Sequence, residues 1–253
     1  MDLKNTIKVF CLAGLLSVIT QAQSVNPGVG INPNAHGATE NVTPSSGPNG
    51  AIKWLNSGMD QDSGWKPPFL DFDTIKHISK EQFYDGPGSA CRKYDWAFSA
   101  AADEFNIDAA ILAMIAQQES SCNADAGGST PGLMQVACGN YPGGVCHPKD
   151  IKLNVRMGAK YFRDRLDESD NNVLKALGNY NGWFTGGSGR NGNKGLTKSY
   201  PCSNEGKSNG DPQNLDYLHQ QVNGWFMGLN PYGDESWIGT NRCSGSCKDG
   251  KAC

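Results

Sequence analysis

A single glutamate occupies an unusual position in the stretch "AILAMIAQQES", which runs from Ala110 to Ser120. Glu119 follows Ile115 by four residues and Ile111 by eight, so it continues the apolar stripe of a helix. A carboxyl group held against apolar surface resists ionisation, and the negative end of the helix dipole also raises its pKa. Such a group stays protonated near neutral pH and can act as a general acid, as a departing glycosidic oxygen requires.

The same periodicity has a simpler interpretation. A glutamate in the last turn of a helix can extend into solvent or pair with a lysine or arginine, and periodicity alone favours this arrangement for Glu119. The choice between the two interpretations depends on the residues that follow and on the elements that position them.

Helical periodicity dominates the chain on both sides of Glu119. The five predicted helices cover residues 91–106, 107–120, 150–168, 171–180 and 214–227. Asn106 is predicted to end the first helix and to cap the second, with Asp108 in the first turn. Gly-rich connections and the lack of a long alternating pattern predict a mainly α fold.

Three ordered sequence blocks carry a resemblance to a known family. Glu119-Ser120 ends a helix and is followed by a loop of small residues and then by "GLMQ" at 132–135. A second block, "LGNYNGW", contains Tyr180-Asn181 followed directly by glycine, and the helix between the two blocks carries Asn154 and Gly158. These blocks resemble the soluble lytic transglycosylase and goose-type lysozyme family, glycoside hydrolase family 23, over residues 91–183.

The resemblance implies a role for each matched residue. Glu119 is the implied general acid, and Tyr180 is implied to hydrogen-bond that carboxyl group or the sugar beside it. Ser120 and Gln135 are implied to line the cleft, and Asn181 to hold the backbone of its loop. Two departures lie beside the cleft: the residue between Asn181 and the next glycine is missing, and a Cys-bounded loop, "VACGNYPGGVCHP", follows Gln135.

The family implies a lysozyme-like helical fold, with either a small β-hairpin or an irregular loop region beside the helices. It also implies a glycosidase that cleaves β-1,4 bonds of N-acetylated amino sugars with one dominant glutamate. Peptidoglycan is the favoured substrate and chitin the alternative, and the outcome is either hydrolysis or a 1,6-anhydro product. A secreted glycan-binding module without turnover is the rival from another class. Three aromatic residues could stack on sugar rings or belong to the core: Tyr141, Trp183 and Trp225.

A second carboxylate is harder to identify from the sequence. Asp125 is the only acidic residue between Glu119 and Gln135, and Asp150 is expected to cap a helix. We therefore expect a single acid to serve both steps of the reaction.

The N-terminus predicts a secreted protein. Lys4 and Lys8 precede a 12-residue, mostly apolar segment over 9–20, and Ala22 ends a plausible cleavage site. Residues 1–22 are therefore expected to be a signal peptide, because the apolar segment is too short to span a membrane. Residues 23–50 are predicted to be a Gly/Pro/Asn-rich linker, which contains the N-glycosylation triplet at 41–43. Residues 51–90 are predicted to pack on a catalytic domain over 91–235, which a Cys-rich tail over 236–253 follows.

Cysteine usage fits an oxidising compartment. Eight of the nine cysteines remain after signal cleavage, which allows up to four disulfides and a disulfide-stabilised fold. Cys138 and Cys146 enclose a short Gly/Pro-rich stretch and are expected to pair, and Cys122 is expected to tie down the exit from the helix of Glu119. The four histidines are too scattered to complete a zinc site with cysteines, so neither metal nor cofactor is expected.

The charge balance bears on the partners. The formal net charge is −3, and it becomes −4 when the signal peptide is removed. This balance shows no basic patch typical of nucleic-acid binding, and it gives little electrostatic attraction to an anionic cell wall, which keeps chitin open as a substrate. The expected partner is a polysaccharide, with no nucleic acid and no membrane after signal cleavage, and the expected state is a monomer.

Overall fold

The computed structural model describes residues 29–183, 195–201, 203–204, 214–232 and 239. This part of the chain is mainly helical, as predicted. Its six principal helices are α1 (Ile52–Leu55), α2 (Lys80–Asp85), α3 (Asp95–Phe105), α4 (Ala109–Ser120), α5 (Ile151–Asp167) and α6 (Val173–Tyr180). No β-strand forms among the described residues, and an isolated antiparallel bridge joins Asp71 to Asn172. The region beside the helices is therefore irregular rather than a β-hairpin.

Helix α4 forms the centre of the molecule. Its residues from Ala110 to Gln117 are all buried, so the helix is enclosed on every side rather than on one stripe. The Asp108 side chain caps it by accepting a hydrogen bond from the Ala110 N–H at 2.7 Å. Asn106 ends α3 with a left-handed φ of 51°, as predicted, but the prediction that it also caps α4 is wrong, because Asp108 provides that cap.

Helices α5 and α6 pack beside α3 and α4. Asp150 caps α5 by accepting from the Leu153 N–H at 3.0 Å, which is the role predicted for it. Helix α5 is amphipathic, and its buried face includes Val155, Phe162 and Leu166. The α5 to α6 connection is short, and Asn172 caps α6.

The C-terminal helical segment completes the core. It consists of a single α-helical turn at Tyr217–His219, a π-helical stretch at Gln220–Gly224 and a 3-10 turn at Trp225–Met227. Every residue of this segment is buried. It contacts the C-terminal end of α4, where Tyr217 and Trp225 reach Glu119 and Gln118.

The prediction of a linker over 23–50 is wrong for residues 29–50, which pack on the body of the protein. The Asn49 N–H donates to Asn223 Oδ1 at 2.8 Å, and Asn49 Nδ2 donates to the carbonyl oxygen of Val222 at 2.7 Å. Asn223 Nδ2 in turn donates to the Gly50 carbonyl oxygen at 2.9 Å. Buried asparagine amides thus satisfy the backbone of a segment whose composition lacks apolar residues. Residues 23–28 lie outside the described residues.

Residues 51–90 share one hydrophobic core with the helices. Trp65 is buried, its indole Nε1 donates to the Leu55 carbonyl oxygen at 2.9 Å, and its ring meets that of Trp183 edge-on at 5.2 Å. The boundaries placed at residues 91 and 235 remain predictions, since the core continues across the first of them.

Two disulfides lie in the described part of the chain. Cys138 pairs with Cys146, as predicted, and Cys122 pairs with Cys91, which ties the exit of α4 to the turn before α3. The predicted signal peptide at 1–22 and the predicted tail at 236–253 lie outside the described residues, except for Gly239. In the described ranges, no helix has both the length and the apolar composition that crossing a bilayer requires.

Candidate active site

Glu119 lies in the last turn of α4, where the helix leaves the core. Burial raises the pKa of its carboxyl group to about 7 from an ordinary value of 4.5, in the direction that the apolar stripe predicts. The helix ends immediately afterwards, because Ser121 and Cys122 both adopt left-handed backbone conformations, with φ of 55° and 52°. Glu119 therefore projects from a rigid, capped helix end as a desolvated carboxyl group.

Tyr217 is the direct partner of Glu119. Its hydroxyl group donates a hydrogen bond of 2.6 Å to Glu119 Oε1. This contact lowers the pKa of Glu119 and so opposes the larger effect of burial. Tyr217 was not among the predicted site residues, because it lies 98 residues further along the chain in a stretch that shows only helical periodicity.

Tyr180 lies close to Glu119 but does not bind it. Its hydroxyl group donates to the Met134 carbonyl oxygen at 2.7 Å, so the implied hydrogen bond to the Glu119 carboxyl group is not present. Burial raises the pKa of Tyr180 well above its ordinary value, and the negative charge of Glu119 adds to this effect. Tyr180 therefore holds the turn opposite Glu119, and Tyr217 takes the place that the resemblance assigns to it.

The "GLMQ" turn at 132–135 is tied to the end of α4. Ser120 Oγ donates to the Leu133 carbonyl oxygen at 2.8 Å, so this hydroxyl group anchors the turn instead of lining an open cleft. The Gln135 side chain folds back, and its Nε2 donates to the Gly132 carbonyl oxygen at 2.8 Å. Thr130 Oγ1 donates to Gln135 Oε1 at 3.3 Å, so both ends of the Gln135 amide are occupied within the loop.

Asn154 on α5 fixes the other side of this turn. It is fully buried, and its Oδ1 accepts from the Met134 N–H at 2.9 Å. Gly132 has a φ of +102°, and a Cβ atom there would lie 2.4 Å from Asn154 Nδ2. A Cβ atom on Gly158 would lie 2.5 Å from Met134 Cβ. The two glycines of the sequence blocks thus allow the turn to approach α5 closely.

Asn181 provides the C-cap of α6. Its backbone N–H donates to the Leu177 carbonyl oxygen at 3.1 Å. The role implied for its side chain, which is to hold the backbone of its loop, stays a prediction, because residues 184–194 lie outside the described residues.

The aromatic residues considered for sugar stacking belong to the core. Tyr141, Trp183 and Trp225 are 3%, 1% and 2% exposed, so none presents a ring face for a pyranose. Trp225 instead donates from Nε1 to Gln118 Oε1, and Gln118 Nε2 donates to the Tyr232 hydroxyl group. This network attaches the C-terminal helical segment to α4 directly beside Glu119.

Among the described residues, neither Asp125 nor Asp216 is a cause of the raised pKa of Glu119. Asp125 is exposed, and Asp150 caps α5. Asp216 is buried, but its charge raises the pKa of Tyr232 and not that of Glu119. In the described part of the chain, no group of three or more His, Cys, Asp or Glu side chains is arranged to hold a metal ion.

A surface depression of about 570 Å³ lies at the opposite end of α4. It is lined by Ser99, Ala102, Asp103, Asn106, Ile107, Asp108 and Ala109. Ala109 is the first residue of α4, so the depression is separated from Glu119 by about 15 Å of helix. It is therefore not part of the Glu119 site.

The similarity of this chain to known proteins includes the region around Glu119. Residues 97–199 match the family model of the transglycosylase SLT domain. In a structural comparison, a crystal structure of an inactive mutant of the lytic transglycosylase Slt from Pseudomonas aeruginosa is 16% identical to this chain, with a TM-score of 0.31. The match covers 54% of this chain and 22% of that one, so this chain corresponds to less than a quarter of that transglycosylase. Glu119, the 132–135 turn and Tyr180 all lie inside this match, so the part of the chain that carries the candidate site is similar to the transglycosylase SLT domain.

Proposed function

We propose that this protein is a secreted glycosidase that cleaves the β-1,4 bonds of peptidoglycan, with Glu119 as its single acid and base. The observation that carries the proposal is the desolvated Glu119 carboxyl group, whose pKa is raised to about 7 and whose Oε1 atom accepts a hydrogen bond from Tyr217. A carboxylic acid with this pKa keeps its proton near neutral pH and can still release it. The similarity of residues 97–199 to the transglycosylase SLT domain supports the same class of reaction.

In the first step Glu119 donates its proton to the glycosidic oxygen. The bond between that oxygen and C1 breaks, the oxygen departs as a hydroxyl group, and positive charge develops on the sugar ring. Glu119 becomes a carboxylate at this point. The Tyr217 hydroxyl group then donates to a charged acceptor, which strengthens this hydrogen bond as the proton leaves.

In the second step the Glu119 carboxylate takes a proton back. If that proton comes from the 6-hydroxyl group of the same sugar, the oxygen closes on C1 and a 1,6-anhydro product forms. If it comes from water, the water oxygen adds to C1 and the bond is hydrolysed. Either route returns the protonated acid, which fits a site where neither Asp125 nor Asp216 acts on Glu119.

Secretion is a part of this proposal that rests on the sequence. The basic and apolar pattern over 1–22 supports a signal peptide, and the two disulfides fit an oxidising compartment. The proposed substrate is found outside the cytoplasm of bacteria, which agrees with a protein that is exported.

The decisive experiment is the digestion of purified peptidoglycan and of chitin oligomers by wild type and by Glu119→Gln. We expect wild type to release fragments from peptidoglycan and Glu119→Gln to release none, with products identified by mass spectrometry. Products lighter by one water molecule and lacking a reducing end would identify the 1,6-anhydro route. Release that survives Glu119→Gln would refute the acid assignment, and binding without release by wild type would favour a glycan-binding module. Release from chitin alone would reassign the substrate.

A further inference from the structure

The loop closed by the Cys138–Cys146 disulfide follows the 132–135 turn after only two residues. It is the insertion in which the sequence departs from the family pattern. It contains two short 3-10 turns, Cys138–Asn140 and Pro142–Gly144, and no charged residue between its cysteines. Gly143 and Gly144 take φ values of 72° and 70°, a conformation that disfavours other residues, so the sequence specifies the shape of the tip.

Tyr141 anchors this loop in the protein. Residues 139, 140 and 142–145 are exposed, whereas the Tyr141 side chain is 3% exposed and points into the core. Its hydroxyl oxygen accepts a hydrogen bond of 2.7 Å from Asn154 Nδ2. A single buried ring therefore fixes a loop whose other residues face solvent.

The same asparagine connects Tyr141 to the site. Asn154 Oδ1 accepts from the Met134 N–H at 2.9 Å, and the Met134 carbonyl oxygen accepts from the Tyr180 hydroxyl group at 2.7 Å. Asn154 Nδ2 also donates to the Pro131 carbonyl oxygen at 3.3 Å. The polar chain thus runs from Tyr141 through Asn154 and the 132–135 turn to Tyr180.

Tyr141 also lies within electrostatic range of the site. The pKa of Tyr180 is raised by burial first, and then by the charge of Glu119 and by Tyr161 and Tyr141. The Tyr180 hydroxyl group therefore interacts electrostatically with both Glu119 and Tyr141. The base of the loop is therefore joined to the 132–135 turn by hydrogen bonds, and its tip is exposed.

We propose that the 138–146 loop is a preformed wall of the substrate cleft, that its exposed tip contacts the glycan strand, and that Tyr141 is the positioning residue that holds it. This inference rests on the proposed function, because it takes the Glu119 region to be the place where a glycan binds. The tip is uncharged, and Val145 is 57% exposed. Such a surface suits the apolar face of a neutral sugar better than the charged peptide stems of peptidoglycan.

The test measures binding separately from turnover. In a Glu119→Gln background, cosedimentation with insoluble peptidoglycan gives a Kd that does not depend on cleavage. We expect Tyr141→Phe to weaken binding about fivefold, because the loop loses the hydrogen bond from Asn154 that holds it and binding must then order it, at a cost comparable to one neutral hydrogen bond. We expect Val145→Asp to weaken it at least as much, because the aspartate would have to be desolvated against the sugar.

Two controls separate a role in binding from a role in folding. Ile31→Asp places the same charge on another exposed apolar residue, 41% exposed in the N-terminal segment, and should leave the Kd unchanged. Val145→Asp should not change Tm, since Val145 is exposed. An unchanged Kd in both Tyr141→Phe and Val145→Asp would overturn the proposal, and so would equal weakening by Ile31→Asp.

The outcomes also distinguish this inference from the proposed function. If wild type binds peptidoglycan without cleaving it, and the loop variants weaken that binding, the glycosidase fails and the loop assignment stands. If wild type cleaves and the loop variants bind normally, the glycosidase stands and the loop assignment fails. If the protein neither binds nor cleaves the polymer, both are refuted.

Discussion

Glu104 and Glu119 stand at equivalent places on neighbouring helices, each one residue before the last residue of its helix, yet their carboxyl groups behave in opposite ways. Glu104 is exposed at the end of α3, where Arg156 donates hydrogen bonds of 2.9 Å and 2.8 Å from Nε to its two oxygens. Those hydrogen bonds lower the pKa of Glu104, whereas burial raises that of Glu119 to about 7. The position of a glutamate in its helix therefore does not determine its pKa. An arginine partner lowers the pKa of Glu104, and burial raises that of Glu119.

The largest expected effect separates the two glutamates by activity. Glu119→Gln removes the proposed general acid, so peptidoglycan cleavage should fall about 1,000-fold or more. Glu104→Gln should leave kcat/KM unchanged, because its carboxyl group serves a surface pair with Arg156. Turnover of purified peptidoglycan by the two matched variants checks both statements. A comparable loss of activity in both variants would contradict the assignment of Glu119 as the general acid.

The next effect tests what Tyr217 does for Glu119. The Tyr217 hydrogen bond lowers the pKa of Glu119, so Tyr217→Phe should raise that pKa further. Activity needs the protonated acid and should decline above pH about 7 in wild type, and this decline should move to higher pH in the variant. We also expect kcat to fall about tenfold, since the carboxylate formed after proton transfer loses its donor. A pH profile of kcat/KM that stays in place would contradict the assignment of Tyr217 as the partner.

A third effect concerns stability, and it has opposite signs at the two glutamates. Because the folded-state pKa of Glu119 lies above its ordinary value, the native state loses stability as pH rises from about 4.5 to about 7. Glu119→Gln should abolish this loss. Its stability relative to wild type should therefore increase by on the order of 2 kcal/mol when the pH is raised from about 5 to about 8. Urea unfolding of both proteins at the two pH values measures the difference. The pKa of Glu104 is lowered instead, so its contribution is present at neutral pH and declines as pH falls below its ordinary pKa.

The smallest effect concerns the surface pair itself. Arg156→Gln should reduce stability only slightly at low salt, and about 1 M salt should remove the difference, because exposed ion pairs are screened. The pH dependence that Glu119 confers should persist in the same salt, since it comes from burial. Thermal unfolding of Arg156→Gln and wild type in the two salt conditions provides the measurement. A salt-insensitive loss would mean that Arg156 contributes by packing, for instance over the Phe105 ring.

Local patterns predicted the elements of this fold, and contacts between distant residues limited what they could predict for the site. The cap at Asp150, the end of α3 at Asn106 and the burial of Glu119 all follow from spacings within one or two helical turns. Tyr217 was not predicted, because its role depends on a hydrogen bond to Glu119, which lies 98 residues away in the sequence. Composition failed for residues 29–50, since buried asparagine amides replace the apolar contacts that a packed segment usually needs.

The contact between Asn49 and Asn223 has a consequence for the order in which the protein folds. It joins residues 174 positions apart, and the C-terminal helical segment that it secures also carries Tyr217. Contacts this distant in sequence form late, and during synthesis this one can form only after residue 223 has left the ribosome. Helices α3 to α6 can therefore assemble while Glu119 still lacks its tyrosine. The acid site is thus completed by a residue that is synthesised 98 positions after Glu119, so a chain truncated before Tyr217 would carry the general acid without its partner.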